Sequence, residues 1–397
     1  MKLIFTVNTY KPNLDGVQFV TSYLAEGLAK KGHDVYLITK SFNRIETPTE
    51  ETICGVKVIR KAIRTSHTFH LGNKKEYQEF IIKMCSDADC LINVGSQSPF
   101  TDWCFEIFDK IKIPKILYLH SIWDFKYHKE NFYNLRAFLF KTWANIRWGI
   151  YFKKNKKIFK SYNSVIQLHK KDYSYLYFLK KYGIVSKTIE NAAENAFFEK
   201  HNEKDFKKPF NNYIINVANF IDGKNQIAAV KEFLRSSIDD KIGLVLIGSS
   251  KNKYYEKLVK FEKNERIKLK IDKERKPILI LTNVERKYIS SYVSNADIYL
   301  MTSKDEKYPI SIVESMAAGI PFISTDVGIV RYLPGGVVSS YEDIHYWIEE
   351  LYSDSDLRTK LGNLGNYYAK SHMRIDDKIS QLENIIKELK GEKNERL

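Results

Sequence analysis

Two glutamates separated by seven residues, Glu306 and Glu314, lie in the run EKYPISIVESMAAGIPFISTDVG, which carries the clearest chemical signal in this sequence. A helix is predicted to begin between them, and the free N–H groups at a helix N-terminus bind anions. Carboxylates beside such a site can accept hydrogen bonds from hydroxyl groups. The run therefore suits a ligand that carries phosphate close to hydroxyls, such as a nucleotide sugar.

The spacing of Ser311 and Glu314 predicts a capping box, with Ser311 as the N-cap and Glu314 three residues later. This structural role competes with ligand binding for the Glu314 carboxylate. The predicted helix ends at Gly319, because Pro321 cannot continue it, and residues 322–325 follow as a buried strand.

The run resembles the C-terminal motif of the retaining glycosyltransferases of family 4, which have the GT-B fold. That motif is Glu, seven residues and Glu, then Ala-Met-Ala, Gly and Pro-Val. It is matched here by Glu306, Glu314, Ser315-Met316-Ala317, Gly319 and Pro321-Phe322. The resemblance implies that Glu306 faces the sugar hydroxyls of a donor and that Glu314 contacts its ribose. It also assigns to donor binding Tyr308, Ile310 and Ser311.

Basic groups in this family neutralise the donor diphosphate through Gly-Arg at a strand end and a Lys five residues after the Arg. Lys224 has the Lys spacing, whereas Ala218-Asn219 replaces Gly-Arg, so Asn219 can donate hydrogen bonds but brings no charge. Gly16 matches one of two family glycines that let backbone N–H groups approach phosphate. The alternatives are a plain surface lysine at 224 and an ordinary strand-to-helix turn at Gly16.

Three polar residues are predicted on the acceptor side, of which His120 ends the apolar run 114–119. Ligands of open α/β sheets bind at the carboxyl ends of strands, although a lone histidine there can also be structural. The resemblance places such a His near the reacting sugar, which makes Glu306 and His120 the predicted catalytic residues. Asn191 matches the Asn after the last strand of the family's first domain, and Asp124 is a further candidate.

No metal or other cofactor is expected. Asp87 and Asp89 form an Asp-x-Asp sequence, but an apolar strand follows at once, which indicates a helix-to-strand turn. Carboxylates and histidines elsewhere lack metal-ligand spacing. Lys224 and the helix N-terminus at Ser311 would instead stabilise the charge of a departing nucleoside diphosphate.

The formal net charge of the 397-residue chain is +16, and residues 123–160, the basic segment, contribute strongly to it. This segment holds ten Lys or Arg, two acidic residues and twelve aromatic residues. It suits peripheral contact with an anionic membrane; a solvated face above core aromatics and a nucleic-acid site are the alternatives. Nucleic acid is not expected, because no known binding motif occurs.

Four scattered cysteines suit a reducing compartment. We therefore expect a cytoplasmic protein on the inner face of the membrane, with a lipid-linked or glycan acceptor.

Alternating strand-like and helix-like segments predict an α/β fold of two Rossmann-like, doubly wound domains facing a cleft. The predicted strands are 2–8, 34–39, 56–60, 89–94, 114–119, 164–168, 213–218, 243–248, 277–282, 297–302 and 321–325. The predicted helices are 17–31, 75–86, 99–111, 131–152, 171–182, 225–237, 253–262, 286–295, 312–318, 342–353 and 356–371.

The predicted domains are 1–200 and 212–375, joined by a polar linker near 201–212. The resemblance implies that a last helix, 377–390, packs back on the first domain.

The sequence thus predicts a retaining glycosyltransferase that moves a sugar from a nucleoside-diphosphate sugar to a hydroxyl acceptor. The expected context is synthesis of a bacterial-type cell-surface polysaccharide or glycolipid. One alternative is another GT-B enzyme, such as a sugar-nucleotide epimerase. The other is a non-catalytic basic module that binds membrane or nucleic acid.

Overall fold

The computed structural model describes residues 1–12, 16–41, 47–66, 69–199 and 206–394. Their contacts form two units, of which the second is Glu190–Lys378 and the first comprises the described residues before and after it. Residues 190–199, which the predicted first domain included, pack with the second unit. Residues 201–205 of the predicted linker lie outside the described residues.

The first unit is a sheet with helices between its strands. Its strands are β1 (Lys2–Thr6), β2 (Asp34–Lys40), β3 (Glu50–Ile53), β4 (Val56–Lys61), β5 (Arg64–Ser66), β6 (Phe69–Leu71), β7 (Cys90–Val94), β8 (Lys115–Leu119), β9 (Ser164–Gln167) and β10 (Lys187–Thr188). Its helices are α1 (Gly16–Lys30), α2 (Lys74–Cys85), α3 (Pro99–Asp102), α4 (Leu135–Lys154), α5 (Lys156–Ser161) and α6 (Tyr173–Tyr182).

The main sheet of this unit has the order β10-β9-β8-β7-β1-β2-β4-β3, and β5 pairs with β6 separately. All neighbours in the main sheet are parallel except β3 and β4. The chain builds outward from β1 on one side and then returns to build on the other, which is the doubly wound order. The predicted α/β class is therefore confirmed for this unit.

Some local predictions for the first unit were wrong. The predicted helix 99–111 is divided into α3 and a 3₁₀ turn at Phe105–Lys110. The predicted helix 131–152 begins later, at Leu135, because the Asn134 side chain caps it by accepting from Ala137 N. Strands β5 and β6 were missed because three largely exposed residues each carry no alternating pattern.

The second unit repeats the same architecture. Its strands are β11 (Tyr213–Val217), β12 (Gly243–Gly248), β13 (Ile278–Thr282), β14 (Ile298–Met301), β15 (Phe322–Thr325) and β16 (Gly336–Ser339). Its helices are α7 (Gln226–Arg235), α8 (Lys253–Leu269), α9 (Arg286–Ser294), α10 (Ile310–Ala317), α11 (Ile344–Ser353) and α12 (Ser355–His372).

The second sheet is entirely parallel, in the order β13-β12-β11-β14-β15-β16. Its central strands are continuous apolar runs, because helices cover both faces of a parallel sheet. Leu244, Leu246, Ile298 and Leu300 are fully buried in its core. The direction of building reverses between β11 and β14, where ligands of such folds bind.

The last helix, α13 (Ile375–Asn394), begins in the second unit and continues in the first. Ile379 packs directly on Gly27 of α1, where a side chain would overlap it. Lys31 Nζ lies 2.7 Å from Glu383 Oε2 at the edge of the same contact. The first unit is thus completed by a segment from the far end of the chain.

Replacing Gly27 with Val is expected to destabilise the protein by about 1–3 kcal/mol, because the new methyl groups would over-pack the contact with Ile379. Urea denaturation followed by circular dichroism measures this change. Gly149→Val in α4 is the matched control, since the nearest atom to an added Cβ is Phe125 Cε1 at 3.9 Å. Equal unfolding midpoints for the two variants would contradict close packing of α13 on α1.

Candidate active site

Two loops meet at the carboxyl edge of the second sheet, one after β11 and one after β14. These strands are hydrogen-bonded neighbours, and the chain leaves them in opposite directions across the sheet. Thr302 Oγ1 donates to Asn225 O at 2.9 Å, and Lys304 N donates to Gly223 O at 2.8 Å. The crevice that this topology creates is therefore bounded by two loops that are tied to each other.

Glu306 and Lys224 form an ion pair between these loops. Glu306 Oε1 also accepts a hydrogen bond of 2.9 Å from Ser303 Oγ. The Lys224 side chain is 27% exposed and the Glu306 side chain 15%, so both can be reached from solvent. The pair places a cation, which is able to bind phosphate, next to a carboxylate that can accept hydrogen bonds from hydroxyls.

The loop that carries Glu306 is supported from behind. Gly328 has a φ of +55°, and a Cβ there would overlap Lys307 O and crowd Glu306 O. Ile329 N donates to Lys307 O at 3.1 Å, and Thr325 Oγ1 donates to Ser303 O at 2.6 Å. Only glycine permits this approach, so the loop backbone is held at both ends.

The predicted capping box is wrong. Helix α10 begins at Ile310 with Pro309 as its N-cap, because the φ of −69° at Pro309 already leads the chain into the helix. Ser311 therefore lies inside the first turn of the helix, and its side chain lowers the pKa of Tyr299. The N–H groups of Ile310 and Ser311, which belong to the first turn, have no acceptor within the helix, and N–H groups in such a position can bind an anion.

Glu314 is buried and pairs with Arg286 rather than with the helix N-terminus. Its side chain is 4% exposed, while Arg286 Nε donates at 2.8 Å to Glu194 Oε2. Burial raises the pKa of Glu314, and the Arg286 guanidinium opposes that shift. One guanidinium thus holds two carboxylates, which fixes the position of Glu314.

Arg286 was not predicted as a site residue, because it lies between other charged residues and belongs to no recognised motif. Its signal was its position, since it follows β13 and opens α9 at the carboxyl edge of the sheet.

Tyr299 was also missed, because it lies inside an apolar strand. Its hydroxyl donates to Val217 O at 3.0 Å, and burial raises its pKa, with further increases from Glu314 and Glu306. The charges of both glutamates therefore act on the Tyr299 hydroxyl.

The other predicted residues of this unit lie near the same loops. Asn219 is exposed after β11, and its carbonyl accepts from Gln226 Nε2 at 3.1 Å. Asn191 is buried, and its Nδ2 donates to Tyr308 O at 2.8 Å, so it supports the end of the Glu306 loop. Tyr308 is buried, and Ile310 is partly exposed at the start of α10.

The remaining predicted residues belong to the first unit, at the carboxyl edge of its sheet. His120 directly follows β8, and burial lowers its pKa to about 4, so the imidazole is neutral at pH 7. Within the described part of the chain, His120 Nε2 has no hydrogen-bond partner. Asp124 Oδ2 lies 2.8 Å from His128 Nε2, and Gly16 is the exposed first residue of α1.

Two searches of the described residues gave no candidates. No group of three or more His, Cys, Asp or Glu among them could hold a metal ion. No helix in the same ranges is long and apolar enough to cross a membrane.

The two Rossmann-like units define the class of this protein as GT-B. Residues 197–366 match the family model for glycosyl transferases of group 1. This region of the chain is therefore similar to glycosyl transferases of group 1. The region contains Lys224, Arg286, Glu306 and Glu314.

Solved structures of glycosyltransferases share this fold over nearly their whole length. Sucrose-phosphate synthase from Thermosynechococcus elongatus has a TM-score of 0.73 and 14% identity, with 98% of each chain covered. HepE from Anabaena, in complex with UDP-glucose, has a TM-score of 0.68 and 14% identity, covering 98% of this chain and 100% of its own.

WaaG, a glycosyltransferase involved in lipopolysaccharide biosynthesis, has a TM-score of 0.66 and 17% identity, covering 97% of this chain and 99% of its own. No curated protein sequence matched significantly.

Replacing Arg286 with Met is expected to destabilise the protein by about 2–4 kcal/mol near pH 7.5, because it leaves the buried Glu314 carboxylate unpaired. The unpaired carboxyl has a pKa above that of the unfolded chain, so its penalty is absent at low pH and grows as pH rises above about 4.3. Urea unfolding at pH 4.5 and 7.5 measures this trend.

Adding Glu314→Gln to Arg286→Met is the control, since it removes the charge and should restore most of the stability at pH 7.5. An unchanged deficit in the double variant would show that Arg286 contributes through packing instead.

Proposed function

We propose that this protein is a retaining glycosyltransferase that transfers a sugar from a nucleoside-diphosphate sugar to a hydroxyl acceptor, without a metal ion. The observation that carries the proposal is the pairing of Lys224 with Glu306 at the carboxyl edge of the second sheet, within the group 1 region. HepE, which shares the fold, was solved with UDP-glucose, and UDP-glucose is the first donor to test.

Lys224 is the proposed diphosphate ligand. Without donor its charge is neutralised by Glu306. A diphosphate carries more negative charge than one carboxylate, so Lys224 would bind it preferentially and release Glu306 to accept from sugar hydroxyls. The first N–H groups of α10, at Ile310 and Ser311, would bind other phosphate oxygens.

Glu314 is the proposed ribose ligand. It is already fixed by Arg286 and needs no reorganisation on binding.

The transfer breaks the bond between the sugar C1 and the diphosphate oxygen. Negative charge then grows on the nucleoside diphosphate, where Lys224 and the N-terminus of α10 stabilise it. The acceptor oxygen forms the new bond to C1 on the same face of the sugar from which the leaving group departs. The proton of the acceptor hydroxyl passes to a diphosphate oxygen. This route conserves charge and requires no base from the protein.

The acceptor side is proposed to include His120, Asp124 and Asn191, with Gly16 near the phosphates. A neutral His120 imidazole can both donate and accept hydrogen bonds to sugar hydroxyls at pH 7.

Peripheral attachment to an anionic membrane is proposed through the basic segment, residues 123–160. Five of its lysines, at 153, 154, 156, 157 and 160, are exposed. Each basic residue near an anionic surface contributes about 1 kcal/mol. This location fits a lipid-linked or glycan acceptor in cell-surface polysaccharide or glycolipid synthesis, and WaaG is involved in lipopolysaccharide biosynthesis.

Replacing Glu306 with Gln is expected to lower turnover of UDP-glucose at least about 100-fold while keeping UDP affinity, because a preorganised contact to the transition state is lost. Lys224→Met should weaken UDP binding more than uridine binding. UDP release and calorimetric titrations measure these effects.

Lys231→Met, on the exposed side of α7, is the matched lysine control. Wild-type turnover by Glu306→Gln would refute the role of Glu306, and equal losses of UDP and uridine affinity would refute that of Lys224. Should UDP not bind, thermal shifts with GDP and ADP test the other bases.

Reversing Lys153, Lys154 and Lys157 to Glu is expected to reduce flotation with anionic vesicles in about 0.1 M salt, where surface charges still act over about 10 Å. Donor binding should not change, because the group 1 region is untouched. The same reversal at Lys253, Lys260 and Lys263 of α8 is the control for net charge, as all three are exposed. Equal flotation of both variants would contradict a role for the basic segment.

A further inference from the structure

Helix α4 is apolar on two opposite faces. Its inner face, with Ala144, Trp148 and Phe152, is buried in the core of the first unit. The other face carries large apolar side chains that are 56–72% exposed, namely Leu135, Leu139, Ile146 and Ile150. A surface helix in water normally has polar residues at such positions. The spacing of this second stripe therefore indicates that something other than water covers it.

Neighbouring residues widen this stripe into a patch, which we call the α4 apolar face. On and beside α4 it includes Phe132, Tyr133, Phe140 and Trp143, each more than 40% exposed. Phe69 on β6 is 58% exposed, and the Arg147 guanidinium lies 4.7 Å from its ring and 5.7 Å from that of Trp143. Single exposed apolar residues are ordinary, but a contiguous patch marks a contact surface.

The charged residues of the helices that carry this face are all positive. Helices α4 and α5 together contain eight Lys or Arg and no acidic residue. Arg136 lies at the start of the face, and the exposed lysines at 153, 154, 156, 157 and 160 lie at its end. An apolar surface with a cationic rim complements a bilayer, whose anionic headgroups lie above apolar chains.

The same features argue against other occupants. Arg136, Lys141 and Arg147 interrupt α4, and no described helix meets the requirements of a membrane span, so α4 would lie in the plane of the interface. A second copy would bring an equally basic patch, and the whole chain has a formal charge of +16. Like charge opposes that pairing.

We infer that the α4 apolar face inserts into the interface of an anionic bilayer, with Leu139, Trp143, Ile146 and Ile150 below the headgroups. The surrounding arginines and lysines bind the lipid phosphates. This inference rests on the membrane contact proposed above and adds an apolar component to it. Membrane attachment then has an electrostatic contribution, which salt weakens, and an apolar contribution, which salt does not weaken.

The test compares two triple variants of the full chain. Leu139→Ser, Ile146→Ser and Ile150→Ser remove the face, and Val185→Ser, Ile267→Ser and Tyr346→Ser are the matched control at residues 69–75% exposed elsewhere. Vesicles contain equal parts of phosphatidylglycerol and phosphatidylcholine, in about 0.1 M and 0.5 M KCl. We expect the face variant to bind at least tenfold more weakly at both salt concentrations, and the control to bind as wild type does.

A second measurement reports insertion directly. Trp143 is 43% exposed on this face, so lipids brominated near the headgroup should quench its fluorescence when the protein is bound to vesicles. In the Trp143→Phe variant this quenched component of the tryptophan fluorescence should be absent. Absence of this quenching in vesicle-bound protein would overturn the inference.

The outcomes separate this inference from the proposed function. Equal binding by both triple variants would overturn insertion and leave attachment to the lysines alone. Wild type that never floats would overturn both membrane proposals, while turnover of UDP-glucose in solution still tests glycosyl transfer. A dimer in sedimentation that the face variant loses, without vesicle binding, would assign the face to a second copy instead.

Discussion

The site of the second unit depends on how two loops are joined at the carboxyl edge of a parallel sheet. Strands β11 and β14 lie side by side, and the chain leaves them in opposite directions, so topology alone opens a space between their loops. Backbone and hydroxyl hydrogen bonds from Thr302 and Lys304 close the base of that space. Lys224 and Glu306, which are 82 positions apart in sequence, lie on these two joined loops and form an ion pair.

The hydrogen bonds between the loops also reduce the rearrangement that ligand binding would require. A carboxylate and an ammonium that already face each other have lost part of their hydration and side-chain freedom before a ligand arrives. The same holds for Glu314, which Arg286 holds in a buried position. The two glutamates of the motif therefore differ in their surroundings. Glu306 pairs with a lysine that can be reached from solvent, whereas Glu314 is buried and held by Arg286.

Much of this could be predicted from the sequence. Apolar strands and helical spacing carry local information, and both sheets follow from their alternation, as at β11 and β12. The positions of Lys224 and Glu306 after strands placed them at one sheet edge. The start of α10 was misplaced because Ser311 and Glu314 fit a capping box equally well, and the effect of Pro309 on the backbone decided between them. The pairing of Arg286 with Glu314 and of Tyr299 with Val217 could not be predicted, because the partners are distant in sequence.

The packing of Ile379 on Gly27 has a consequence for how the chain is synthesised. Residues up to Ile189 leave the ribosome first, yet the helix that completes their unit begins to contribute only at Ile379. At about 5–20 residues per second, that interval lasts about 10–40 s. Throughout it the surface of α1 that Ile379 later covers is open to water and to other nascent chains. The packing of α13 on α1 can therefore be completed only when translation is nearly finished.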